Sequence, residues 1–274
     1  MKVLYHANCM DGFGAAWAAY KYFGSSAEYI PVQYGSAPPD TAGDDLLIVD
    51  FSYPKDVLLD LAAQSSSVTI IDHHKTAKDA LTDPEVQAVK NIRTVFDMER
   101  SGAVLTWMHL HDAPVPQFLQ YIEDRDLWRW QLPMSREINA ALGSHPFDFA
   151  VWDRFDDIVF SDLCAEGEAI LRAQGKMVDK CVKHPGVLGL NGVEGPCVNS
   201  TLLQSEIGHA LCQGKPFAAV FMVLADKVVV SLRSDDNGLD VAEIAGQFGG
   251  GGHKHAAGFS LPLASFSMRF RKAD

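Results

Sequence analysis

Apolar runs and polar breaks alternate regularly along the first third of the chain. Residues 2–6 (Lys-Val-Leu-Tyr-His) read as a strand, residues 8–14 as a loop, and Ala-rich residues 15–23 as a helix. Residues 27–32 read as a short strand and residues 45–50, an apolar run ending on an acid, as a clearer one. Residues 54–63 form a predicted helix with Pro54 in its first turn. Residues 68–71 (Val-Thr-Ile-Ile) are mostly β-branched and predict a buried strand. Strand–helix–strand alternation of this kind predicts an α/β fold, a parallel sheet with helices on both faces.

The pattern continues with a strand over 92–96 and a helix whose turn carries Arg100-Ser101-Gly102. A helix is predicted over 114–130. Residues 135–184 read as wholly helical and amphipathic, a helical linker with Trp152 and Phe155 in the core. Lys183-His184-Pro185-Gly186 interrupts it and marks a domain boundary. The expected domains are 1–183 and a smaller C-terminal α/β domain over 187–274. In the latter, 202–211 predicts a helix, 217–224 and 227–233 a hairpin, and 240–248 a short helix stopped by glycines.

Composition narrows the classes. At 274 residues and 47% hydrophobic content the chain suits one large or two ordinary domains with real cores. No window holds 18 uninterrupted apolar residues, so no membrane partner is expected. The start of the chain lacks the apolar core of a signal peptide. Five scattered cysteines without a CxxC spacing argue against a disulfide framework and for a cytoplasmic protein. The net charge of −12 is uneven: residues 1–186 carry 16 Lys and Arg against 27 Asp and Glu, and residues 187–274 carry 7 against 8. Such a chain grips long duplex nucleic acid poorly, because that affinity comes from neutralising phosphates with Lys and Arg. A phosphate ligand would need metal ions for neutralisation and should be short.

Three predicted strands end in metal-type ligands: His6 with Asp11, then Asp50, then Asp72-His73-His74-Lys75. In a parallel sheet the carboxyl ends share one edge, so residues distant in sequence converge there. For Asp72-His73-His74-Lys75 taken alone, a solvated turn is the alternative reading. The recurrence of such ligands on three strands favours a site. Arg100 stands where it can hold a phosphate at a helix N-terminus, or on the surface. Downstream, Gly249-Gly250-Gly251-Gly252-His253 cannot reflect propensity. A run of this kind lets backbone N–H groups close on an anion, the alternative being a flexible linker.

Taken in order, these motifs resemble the DHH phosphoesterase superfamily with its DHH-associated C-terminal domain, over nearly the whole chain. Asp72-His73-His74 resembles the name-giving motif, His6 to Asp11-Gly12 the first, Asp50 the second, and Asp124 in Glu123-Asp124-Arg125-Asp126 the fourth. Ser231-Leu232-Arg233 and Gly250-Gly251-Gly252-His253 resemble the C-terminal signature. Members of the superfamily include single-strand exonucleases, hydrolases of short oligoribonucleotides and of 3′-phosphoadenosine 5′-phosphate, and cyclic dinucleotide phosphodiesterases. The resemblance implies two manganese ions per chain, magnesium or another divalent metal being the alternative. His6 and Asp50 would hold one, and Asp11, Asp50, His73 and Asp124 the other, with Asp50 bridging and catalytic. Asp72 would orient a histidine, and catalytic His74 would face the substrate phosphate. Arg233, Gly250, Gly251, Gly252 and His253, with Arg100, are the implied substrate contacts.

One position departs from the pattern. The first motif normally carries Asp-x-Asp, and here Cys9 fills the earlier place, beside Asn8. A thiolate is a soft ligand. Asn8 substituting through its carbonyl oxygen, Cys9 ligating and shifting preference toward zinc or iron, and a weak first metal arriving with substrate all stay open. So does Asp124 against Asp126, Asp124 being preferred for its distance to Trp128. The expected function is metal-dependent hydrolysis of phosphodiester or phosphomonoester bonds in short single-stranded oligonucleotides or nucleotides. A polyphosphatase or pyrophosphatase is the alternative within the same chemistry. A nucleotide-binding module with a site decayed at Cys9 is the alternative outside it. Assembly as a homo-oligomer is left open.

Overall fold

In the computed structural model, which describes residues 1–33, 35–267 and 269–272, the chain forms two compact units, Met1–Leu171 and Arg172–Asp274. The first contains β1 (Lys2–His6), α1 (Met10–Phe23), β2 (Glu28–Val32), β3 (Asp45–Val49), α2 (Lys55–Gln64), β4 (Ser67–Asp72), α3 (Lys78–Thr82), α4 (Pro84–Ala88), β5 (Ile92–Phe96), α5 (Gly102–Leu110), α6 (Gln117–Asp126), α7 (Ser135–Leu142) and α8 (Phe149–Trp152). Then α9 (Phe160–Cys181) runs from the first unit into the second. The second continues with β6 (Gly186–Leu190), β7 (Val193–Asn199), α10 (Gln204–Cys212), β8 (Ala218–Val223), β9 (Lys227–Arg233), α11 (Val241–Gly246), β10 (Gly251–His253), β11 (Ala256–Pro262), α12 (Leu263–Ser267) and β12 (Phe270–Arg271).

The predicted parallel sheet is present, in the order β2-β1-β3-β4-β5, with every pairing parallel. Alternation along each strand loads both faces. Val3, Leu47, Val49 and Ile71 pack with Phe13, Trp17, Val104 and Phe118 of α1, α5 and α6. Leu4, Leu46, Ile48 and Ile70 pack with Leu58, Leu61, Leu81 and Val86 of α2, α3 and α4. Strands buried on both faces read as continuous apolar runs, as these do. Each fully buried Leu or Ile contributes about 1.5–3 kcal/mol before entropy is counted. β1 lies between β2 and β3, so the chain leaves it in opposite directions. That reversal opens a crevice beyond the carboxyl ends of β1 and β3.

Local differences from the expected elements have physical causes. α1 begins at Met10, so most of the expected loop over 8–14 is helix. Gly12 and Gly14 sit in it despite their low propensity, because a Cβ would lie 2.2 Å from His6 O at Gly12 and 2.9 Å from Ala103 Cβ at Gly14. α6 ends at Asp126, and Trp128 and Trp130 turn left-handed at φ 56° and 54°. The expected helix over 135–184 is three α-helices and a 3-10 turn (Asp153–Phe155), interrupted at 143–148 and 156–159, and Trp152 and Phe155 are buried as expected.

The C-terminal sheet has the order β10-β11-β9-β8-β7-β6-β12 and is antiparallel apart from β7 with β8. Its hairpin β8–β9 falls where expected. Strands β6 and β7 escaped the sequence reading because Gly186, Gly189, Gly195 and Pro196 dilute their apolar alternation. The overlooked signal is Asn191-Gly192, both at positive φ, which joins them as a two-residue hairpin loop. α11 and α12 cover one face, and α10 with the end of α9 the other. Among the described residues no helix is long and apolar enough to cross a membrane.

Candidate metal centre

The site grows from three strand ends of the first sheet. After β1, Asn8 turns left-handed at φ 58°, a conformation asparagine tolerates, and Cys9 becomes the residue capping α1. Asp11 follows in the first turn. Its Oδ2 accepts a hydrogen bond from Gly102 N at 2.6 Å and its Oδ1 one from Ala103 N at 3.1 Å. The N-terminus of α5 therefore holds Asp11, where the helix dipole favours a negative group. After β3, Asp50 also turns left-handed, at φ 60°. A Cβ at Gly102 would lie 2.5 Å from Asp50 Oδ1, so a larger residue there would push α5 off the site. After β4, Asp72 Oδ1 accepts from His73 N at 2.7 Å, His74 N at 3.2 Å and His74 Nδ1 at 2.7 Å. That carboxylate locks the turn and the His74 ring together.

Asp50 is the centre of the arrangement. Its Oδ2 lies 3.3 Å from His6 Nδ1 and its Oδ1 lies 3.1 Å from His73 Nε2. On the first side, His6, Cys9 and Asp50 bring one donor atom each within 4.8 Å of one another. On the second side, Asp11, His73 and Asp126 do the same. There His73 Nε2 lies 3.6 Å from both Asp11 Oδ2 and Asp126 Oδ2.

Electrostatics sets these groups against one another. Burial, then the neighbouring Asp50 and Asp126 carboxylates, push the Asp11 carboxyl well above its ordinary range. Burial also raises Asp126, against the pull of His73. Burial works against ionised Asp50 too, but the hydrogen bonds from His6 and His73 prevail and hold it well below the usual carboxylate range. The Cys9 thiol is pushed well up by burial and by Asp50, Asp126 and Asp11. Burial favours a neutral His74, yet Asp72 outweighs it and raises the ring to about 9. Asp126 Oδ2 is buried with no hydrogen-bond partner among the described residues. Three acids packed this closely repel unless a cation joins them. Carboxylate and imidazole donors facing inward, one carboxylate oxygen unsatisfied, fit a divalent metal.

Of the residues expected at the site, the fold brings together His6, Cys9, Asp11, Asp50, His73 and His74. Asp124 is not among them. Its carboxylate accepts from Gln131 N at 2.9 Å and Leu132 N at 3.2 Å, tying down the turn after α6. The acid that α6 delivers is Asp126. Arg100 is also elsewhere: it donates to Glu123 Oε1 at 3.1 Å, and the helix N-terminus beside it is filled by Asp11. Asn8 is exposed.

In the C-terminal unit the expected glycine loop is the edge strand β10. Its glycines answer to the neighbouring strand. A Cβ would lie 2.0 Å from Gly258 O at Gly250 and 2.5 Å from Ala256 O at Gly252. Gly251 pairs with Gly258. Register then lines up His253, Ala256 and Arg233 across β10, β11 and β9. Paired residues point to one face, so the two cationic-type side chains flank the smallest one. Arg233 donates to Ser205 Oγ at 2.7 Å and to Ser231 Oγ at 3.1 Å, and Gly208 of α10 leaves it room.

Residues 209–273 match the DHHA1 domain. The chain is 29% identical over 299 residues to the uncharacterized protein R106 of Acanthamoeba polyphaga mimivirus, covering 99% of this chain and 70% of that protein. It is 27% identical over 299 residues to oligoribonuclease NrnB of Bacillus subtilis, covering 94% and 72%. Among solved structures, a pGpG-specific phosphodiesterase, PggH, from Vibrio cholerae is similar at TM-score 0.49 and 13% identity over 97% of this chain and 95% of that one. An exopolyphosphatase-related protein from Bacteroides fragilis is similar at TM-score 0.47 and 14% identity over 94% and 85%. The C-terminal end of the chain thus carries a DHHA1 domain, and nearly the whole chain is similar to an oligoribonuclease.

Proposed function

We propose that this chain is a metal-dependent phosphoesterase that hydrolyses phosphate ester bonds of short oligonucleotides or nucleotides. The observation that carries the reading is Asp50, which turns one carboxylate oxygen toward each of two ligand sets. The similarity to an oligoribonuclease over 94% of the chain supports the substrate class. His6, Cys9 and Asp50 would hold one divalent ion, and Asp11, Asp50, His73 and Asp126 a second, the oxygen-rich donors of this second set suiting manganese or magnesium. Such a pair supplies a nucleophilic hydroxide near neutral pH and stabilises charge developing at phosphorus.

The protein's own residues do the rest. Asp72 fixes Nδ1 of His74, so the ring stays protonated and donates its Nε2–H to a phosphate oxygen. Gly102 and Ala103, at the N-terminus of α5, hold Asp11 in place through their backbone N–H groups. Arg233 and His253 bind the terminal phosphate of the substrate, with Ala256 leaving room between them. The net charge of −12 selects against long polyanions.

The test is release of mononucleotide from a short single-stranded oligoribonucleotide in Mn2+. Turnover should vanish in Asp50→Ala. Undiminished turnover in that variant, or none in the native protein with any divalent metal, would sink the reading.

A further inference from the structure

We propose that the two ligand sets are chemically unequal and load different metals: His6, Cys9 and Asp50 take a thiophilic ion such as zinc, and Asp11, His73 and Asp126 take manganese. This rests on the two-metal phosphoesterase reading and adds the identity of each ion.

The first observation is the donor set. Sulfur, imidazole nitrogen and carboxylate oxygen converge within 4.8 Å. Three protein ligands of these types with an open fourth position are a zinc pattern. For bonds of about 2.0–2.2 Å in a tetrahedron, donor atoms lie about 3.3–3.6 Å apart. His6 Nδ1 and Asp50 Oδ2 are 3.3 Å apart. The second set offers two carboxylates and one imidazole, with Asp50 Oδ1 beside His73, and no sulfur. Hard donors of that kind suit manganese.

The second observation is where Cys9 sits. It occupies the capping position of α1, where Ser, Thr, Asp or Asn stabilises a helix by about 1 kcal/mol over apolar residues. The Cys9 side chain makes no capping hydrogen bond. Its backbone carbonyl accepts from Phe13 N at 3.0 Å, which any residue would do. Helix stability therefore gives no reason for cysteine at this position. The left-handed Asn8 before it places the thiol in the cluster. This chain therefore offers one soft set and one hard one.

Cobalt makes the difference visible, because a thiolate bound to Co2+ gives a charge-transfer absorption in the near ultraviolet. Metal-free protein is titrated with Co2+ and followed by absorption and elemental analysis. The native chain should bind two equivalents and show the band. Cys9→Ser should lose the band, and Asp11→Asn should keep it while binding one equivalent fewer. With one equivalent of zinc and excess manganese, the native chain should retain one of each. In Cys9→Asp the preference for zinc at that position should drop on the order of a hundredfold. Two bound cobalt ions without the band, or a band surviving in Cys9→Ser, would overturn the inference and leave the phosphoesterase reading intact. No cobalt bound in any form would overturn both.

Discussion

The two candidate clusters are built in opposite ways. At the N-terminal site, buried groups of like charge come from three strand ends and two helix ends, and each is tolerated only because of its partners. Asp11 needs the α5 N-terminus, Asp50 needs His6 and His73, and His74 needs Asp72. In the C-terminal unit, Arg233, Ala256 and His253 are aligned by antiparallel register alone, and glycines let the strands close. The first cluster is an electrostatic construction, which fails as a whole when one member is lost. The second is a steric one, which loses contacts one at a time. Substitutions in the first should therefore change turnover, and in the second substrate affinity.

The largest effect separates two neighbouring acids. Asp126→Asn removes a donor from the Asp11–His73 set, so kcat should fall about a hundredfold or more with little change in stability. Asp124→Asn instead weakens two backbone hydrogen bonds to a charged acceptor, which should lower stability by about 1.5–3 kcal/mol and leave metal content unchanged. Kinetics and thermal unfolding on both variants check this. The reverse assignment of losses would break the contrast at its strongest point.

That pair also marks the limit of what the chain reveals unfolded. His6, Asp50 and His73 were legible because one rule, that parallel strands share a carboxyl edge, turns apolar alternation into placement. Cys9 was legible as a departure from a pattern. Asp124 and Asp126 were not separable, since residues two apart on a helix differ by about 200° in direction. Which one faces the site is set by where α6 ends and by the left-handed turns at Trp128 and Trp130. The glycine run was legible as a demand for close backbone approach, but not for what approaches. The answer in the structure is β11.

A smaller effect is expected in the second cluster. Arg233→Ala removes a charged donor to phosphate, worth about 1.5–3 kcal/mol, so KM should rise roughly 10- to 100-fold. Turnover at saturation should stay within a few-fold of native, because the group-transfer chemistry is attributed to the other cluster. A fall in kcat with KM unchanged would place Arg233 in the reacting machinery and erase the distinction.

The smallest effect tests the electrostatic coupling inside the first cluster, in metal-free protein. Burial opposes a charged His74, but Asp72 holds the ring at about 9, above the ordinary value of 6.5. A histidine raised in the folded state stabilises fully below 6.5, and that stabilisation is lost as pH rises through about 9. Asp72→Asn keeps the size of the side chain and removes its charge, so the folded value should drop and the contribution shrink. The stability gap between native and variant should be widest near pH 6 and narrow by on the order of 2 kcal/mol toward pH 9. Denaturant unfolding across that range measures it. Asp11 and Asp126 are common to both proteins, so they largely cancel in the difference. A gap independent of pH would mean that Asp72 serves only as a backbone clamp for the turn at His73 and His74. The N-terminal site would then owe part of its order to geometry, as the C-terminal one does.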